Sequence, residues 1–134
     1  MTRLRYLAQW TNLALAVPDA GNTTLLELTD IPKDATRLEI EITNTGNALD
    51  AFILSRKGHP DGSYDLIADA AADFTTPALP LLEVSSDMAA SLDLTTLEDG
   101  KKGWVKIALD GEASWKIEAS GNGATVMSIY VIAR

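Results

Sequence analysis

At 134 residues, 46% of them hydrophobic, the chain is long enough for one domain with its own core, and the lack of any cysteine excludes disulfides, thiolate metal sites and cysteine nucleophiles. Nineteen acidic against eleven basic residues give a net charge of −8. The densest basic pair, Lys101-Lys102, sits beside Glu98 and Asp99, so the clustered cations that displace phosphate counterions are missing and no direct nucleic-acid partner is expected.

The first residues carry Arg3 and Arg5 ahead of an apolar stretch, a faint likeness to a signal peptide, but Gln9, Thr11 and Asn12 interrupt it and a mature N-terminus is expected. Leu4, Tyr6, Ala8 and Trp10 alternate with more polar neighbours, then Leu13, Leu15 and Val17 take the opposite phase. That shift predicts a bulge or bend near Thr11-Asn12. Residues 18–22 make a turn, and a strand over 23–29 ends at Asp30, Ile31 and Pro32. The clearest single strand is 37–43, with Leu38, Ile40 and Ile42 inward and Arg37, Glu39, Glu41 and Thr43 toward water. Asn44-Thr45-Gly46-Asn47 has turn composition and 48–56 returns, so 37–56 is predicted to be a hairpin.

Residues 57–63 form a loop. Over 64–74, Leu66, Ala70 and Phe74 recur at helical spacing with Ile67 and Ala71 beside them; a short strand at 64–68 followed by a loop is the favoured alternative. Pro77 and Pro80 force extended backbone, alternation at Leu92 and Leu94 is weak, and 98–103 is a polar turn. The last quarter, 104–134, holds three alternating runs. Val105, Ile107 and Leu109 oppose Trp104, Lys106 and Asp110; Ala113, Trp115, Ile117 and Ala119 oppose Ser114, Lys116 and Glu118; the third run, 125–133, is apolar on both sides. Period two and Gly-rich turns predict a β-meander whose last strand is buried. No apolar run approaches the roughly 20 residues of a membrane helix, so no membrane partner is expected.

Chemistry is sparse. His59 is the only histidine and lies in the turn sequence Gly-His-Pro-Asp-Gly, so a catalytic base is not expected there, and no histidine pair exists for zinc or non-haem iron. Asp61-Gly62-Ser63-Tyr64-Asp65 spaces oxygens as calcium loops do but lacks the glycine and bidentate glutamate of an EF-hand, and solvated carboxylates are the expected reading, Asp65, Asp69 and Asp73 included. Gly121-Asn122-Gly123 joins two strands and precedes no helix, so it is a turn rather than a phosphate cradle. Glu39, Glu41 and Glu118 are outward on flat strands, where no cleft is expected to set two carboxylates face to face. No catalytic residue, metal site or cofactor is assigned. Of the three tryptophans, Trp115 shares a face with Ile117 and is expected in the core. Trp10 and Trp104 are candidates for an interface, where aromatics are enriched.

The stretch Ile42-Thr43-Asn44-Thr45-Gly46-Asn47-Ala48-Leu49-Asp50-Ala51-Phe52 resembles the central hairpin of small structural proteins from tailed-bacteriophage virions. So do Asp93-Leu94-Thr95-Thr96-Leu97, running through Gly103-Trp104-Val105-Lys106, and Ala119-Ser120-Gly121-Asn122-Gly123-Ala124-Thr125-Val126, closing on Ala133-Arg134. Together they cover residues 40–56 and 90–134; the residues before 37 show no such likeness. The resemblance implies a virion accessory protein, foremost a capsid decoration (cement) protein on the outer head surface. Its partners would be the major capsid protein lattice and other copies of itself, and a tail or head-fibre component is the near alternative. Arg3, Arg5, Tyr6, Trp10 and Trp104 are the expected interface residues, the first four within residues 1–17, which form either an N-terminal arm or a first strand. A carbohydrate-binding module, with exposed tryptophans for sugar rings, is the rival from another class, and an enzyme would require a pocket of convergent polar groups. The expected fold is one all-β domain over 1–134, an antiparallel β-sandwich or jelly-roll-like barrel of about eight strands.

Overall fold

A computed structural model describes residues 6–19, 21–88 and 94–134. Its strands are β1 (Ala8–Ala16), β2 (Thr23–Leu28), β3 (Arg37–Gly46), β4 (Leu49–Lys57), β5 (Asp65–Ala68), β6 (Leu81–Ser86), β7 (Lys102–Ala108), β8 (Ser114–Gly121) and β9 (Thr125–Ala133). One short helix, α1 (Ala71–Thr75), and a 3-10 turn at Leu94–Thr96 complete the regular structure. The strands form two open antiparallel sheets, ordered β1-β9-β3-β7-β6 and β2-β8-β4-β5. The fold is therefore a β-sandwich, and neither sheet closes into a barrel.

Alternation builds the core. Leu38, Ile40 and Ile42 of β3, Val105 and Ile107 of β7, and Met127, Ile129 and Val131 of β9 point inward from the larger sheet. Phe52 and Leu54 of β4 and Trp115, Ile117 and Ala119 of β8 meet them from the smaller one. Trp115 is fully buried, as its face predicts. Burying each Val, Leu, Ile, Met or Phe among them contributes about 1.5–3 kcal/mol. Residues 64–75 contain both readings in succession: β5 comes first, then α1, whose Phe74 packs edge-on against Phe52 at 5.7 Å between ring centres. Leu94 is buried at the 3-10 turn, while Leu92 lies outside the described residues. The phase shift in β1 is a bulge two residues beyond Thr11-Asn12: pairing with β9 slips between Asn12 and Leu15, and Ala14 takes φ +52°.

Two expectations are overturned. Residues 37–56 are no hairpin, because β3 pairs with β7 and β9 whereas β4 pairs with β5 and β8. Likewise 104–134 is no meander, since β7 and β9 lie in one sheet and β8 in the other. The physical reason is common to both. Period-two patterning states which side of a strand is dry, not which neighbour completes its backbone hydrogen bonds, and a Gly-rich turn serves a corner between sheets as well as a hairpin. The last strand is also not buried on both sides: Met127, Ile129, Val131 and Ala133 are buried, but Val126, Ser128 and Ile132 are half-buried and Tyr130 is exposed.

The segments around residues 44–47, 97–100 and 121–125 meet at one end of the sandwich. Asn44 is buried within β3, not in a turn; its side-chain amide donates to Leu97 O at 2.7 Å, and its own carbonyl accepts from Gly100 N at 2.8 Å. Gly46 N donates to the Asp99 carboxylate at 2.8 Å. Asn47 N donates to Ala124 O and its amide to Asn122 O, each at 2.8 Å. Gly46 has φ +97°, and a Cβ there would run into the Ala124 carbonyl oxygen. These residues form a corner that fastens the β3–β4 and β8–β9 crossings together, which is a structural duty and no reactive centre.

Candidate binding face on the five-stranded sheet

The outward residues of the larger sheet form a shallow depression of about 450 Å³, lined by residues of β3, β6, β7 and β9. Register places them in rows. Tyr130, Glu41, Trp104 and Ser85 make one row across β9, β3, β7 and β6; Ile132, Glu39, Lys106 and Glu83 make the next. All four strands send alternate side chains to this side because their other alternates fill the core.

Each carboxylate here has a cation. Glu39 accepts from Arg134 Nε at 2.6 Å and lies 3.2 Å from Arg37; Lys102 is 3.8 Å from Glu41, and Lys106 is 3.5 Å from Glu83. Trp104 Nε1 donates to Glu41 Oε1 at 3.1 Å, which anchors the indole by its nitrogen edge. Tyr130 is 42% exposed. Glu39 and Glu41 do line a depression, together with Glu83. Yet Glu39 and Glu41 stand side by side along one strand, each anchored by a cation, rather than across a substrate. Glu118 lies on the opposite sheet, 3.4 Å from Lys116. The arrangement offers ring surfaces and paired charges, which suit binding better than proton transfer.

The opposite outer face differs. There the 58–64 loop brings Tyr64 over the smaller sheet, where its hydroxyl donates to Glu27 at 2.7 Å. Lys57 and Lys116 sit 5.0 and 4.6 Å from its ring centre. Partial burial, and after it the bond to Glu27, push the Tyr64 phenol up to about 12.

The interface candidates are scattered. Tyr6 is exposed just before β1, and Trp104 lies in the depression. Trp10 turns inward, half-buried against the core. Arg3 and Arg5 lie outside the described residues. Residues 8–16 are an edge strand of the domain's own sheet. His59 is exposed and its Nδ1 accepts from Asp61 N at 3.0 Å, closing its own turn. Among the described residues no group of three acidic, histidine or cysteine side chains is placed to hold a metal ion. Sequence reasoning missed Tyr130 and Ile132; the available signal was Ser128, which marks the outward side of β9.

Large exposed apolar residues gather elsewhere, at the two lateral edges. Tyr6, Leu7 and Leu13 line the β1 edge, where Asn12 reaches β2 by donating to Leu25 O at 2.8 Å. Leu66 of the edge strand β5, Leu82 of the edge strand β6 and Leu79 just before β6 lie on the far edges of the two sheets. Among the described residues no helix is long and apolar enough to cross a membrane. Compared with protein-family models, curated proteins and solved structures, the chain matches none.

Proposed function

We propose that this chain is a non-enzymatic structural protein of a phage virion, bound to the outer surface of the head, where it stabilises the capsid lattice. The observation that carries the reading is the division of exposed apolar side chains between two opposite edges of the sandwich. Contiguous exposed apolar surface marks sites of association. Two such sites on opposite edges suit a molecule seated between neighbours in a repeating array, with capsid protein or a second copy at each. The likeness of residues 40–56 and 90–134 to virion accessory proteins supports the same reading. Charge supports the outer location, because −8 facing packaged DNA phosphate is repelled.

The mechanism is thermodynamic. A protein that binds the expanded lattice and not its precursor stabilises the expanded state by the difference in affinity, and many copies multiply a weak contact. Leu13→Ser and Leu79→Ser test it, since both residues are exposed and neither change empties the core. Co-sedimentation with expanded heads of the encoding phage is expected to show saturable binding, and the double variant is expected to bind about tenfold more weakly or worse. Parental occupancy by the folded double variant, or no binding to heads at all, contradicts the proposal.

A further inference from the structure

We propose, independently of the virion placement, that the depression on the five-stranded sheet binds a neutral oligosaccharide, with Trp104 and Tyr130 as its stacking platforms. Three features point to this chemistry.

The first is the aromatic geometry. Glu41 pairs in register with Trp104 on one side and Tyr130 on the other, so the two aromatic residues start two strand spacings apart, about 10 Å. That span suits a short chain of sugar rings better than a single one. An aromatic ring offers a flat apolar surface to the C–H face of a pyranose, and the hydrogen bond from the indole to Glu41 holds Trp104 before any ligand arrives, so less ordering is lost on binding.

The second is the polar rim. Glu39 and Glu83 keep free lone pairs for hydroxyl donors, Lys106 offers N–H groups, and Ser85 can do either. A sugar requires this mixture of donors and acceptors beside a ring surface.

The third is charge. The cations Arg37, Lys102, Lys106 and Arg134 face the carboxylates Glu39, Glu41 and Glu83, with Asp87 beside Lys102, which leaves this face close to neutral on a chain of −8. Each carboxylate of Glu39, Glu41 and Glu83 is paired within the face, while Arg37 Nε and Arg134 Nη1 are buried without a hydrogen-bond partner. An acidic polymer meets repulsion from the rest of the molecule, and a cationic one finds more free carboxylates elsewhere, so a neutral polyhydroxyl ligand fits best. A protein partner is less well served here, because the large exposed aliphatic residues sit at the edges rather than in the depression. The volume, about 450 Å³, falls within the range of roughly 300–1,000 Å³ found for small-ligand sites.

The test is a printed array of neutral and acidic oligosaccharides, with each neutral hit titrated into isotope-labelled full-length protein. Retention of neutral glycans is expected, with saturable shifts of the Trp104 indole N–H and of β3, β7 and β9 amides. Trp104→Ala and Tyr130→Ala are each expected to weaken binding about tenfold, Trp104→Phe to retain most of it, and Tyr64→Ala, on the opposite face, to leave it unchanged. The proposal is overturned by an array that retains no neutral glycan, by shifts that map away from this face, or by undiminished binding in a folded Trp104→Ala protein.

Discussion

The two outer faces of this sandwich are made from the same alternating pattern and end in opposite conditions. On the four-stranded sheet a loop folds back and brings Tyr64 over the strands, its hydroxyl on Glu27 and its ring centre 5.0 and 4.6 Å from the Lys57 and Lys116 ammonium groups. On the five-stranded sheet nothing among the described residues returns over the surface in that way, so Trp104 and Tyr130 remain available around a depression. Alternation therefore decides which side chains leave the core; whether they become structural cover or a binding surface is decided by the connections. The covered face should behave as part of the fold, and the open one as a surface free to serve a partner.

The largest expected effect tests whether both faces depend on one framework. Gly46→Ala places a methyl group against the Ala124 carbonyl at a left-handed backbone position, and it is expected to cost about 4 kcal/mol or more in urea unfolding. Both faces should be lost in one transition; separate transitions of the two sheets would break the picture of a shared core. Next in size, Phe52→Ala opens a cavity beside Phe74 and is expected to cost about 3–5 kcal/mol.

The faces themselves are then compared directly. Tyr64→Ala removes a hydrogen bond to a carboxylate and two cation–π contacts, for an expected loss of about 1–2 kcal/mol. Tyr130→Ala, on the open face, should stay within about 0.5 kcal/mol of the parent. Equal losses would erase the distinction. The covered face also carries a pH signature. A tyrosine is neutral when protonated, and the Tyr64 phenol is pushed up to about 12 in the fold from 10.0. Above pH 10 the unfolded chain therefore releases this proton first. The stabilisation is fully present below pH 10 and is lost as pH rises through about 12. Urea titrations across that window should show a decline in the parent that Tyr64→Phe reduces. Smallest of all, Glu83→Gln breaks an exposed pair with Lys106 and should change stability by less than about 0.5 kcal/mol.

Much of the fold was legible residue by residue. Leu38, Ile40 and Ile42 against Glu39 and Glu41, and Trp115 beside Ile117, declare their sides because water and core demand different side chains at alternate positions. Partners were not legible. Asn44-Thr45-Gly46-Asn47 and Gly121-Asn122-Gly123 announce reversals, but what makes them corners rather than hairpins is contact with distant chain: Gly46 against Ala124, and Gly121 against the Val17 carbonyl. The depression was half legible. Trp104 is an aromatic at an outward position, which singles it out, whereas Tyr130 and Ile132 hide in a run so apolar that it reads as buried on both sides. Trp10 was the reverse case: its residue type suggested an interface, and its phase with Ala8 turns it toward the core.

The proposed place of the protein on a lattice is tested most directly by cryo-electron microscopy of expanded phage heads incubated with it. The expected result is a sandwich-shaped density repeated on the outer surface, touching its neighbours through the Leu13 edge and the Leu79–Leu82 edge. Bare heads, or density attached at neither edge, would contradict it.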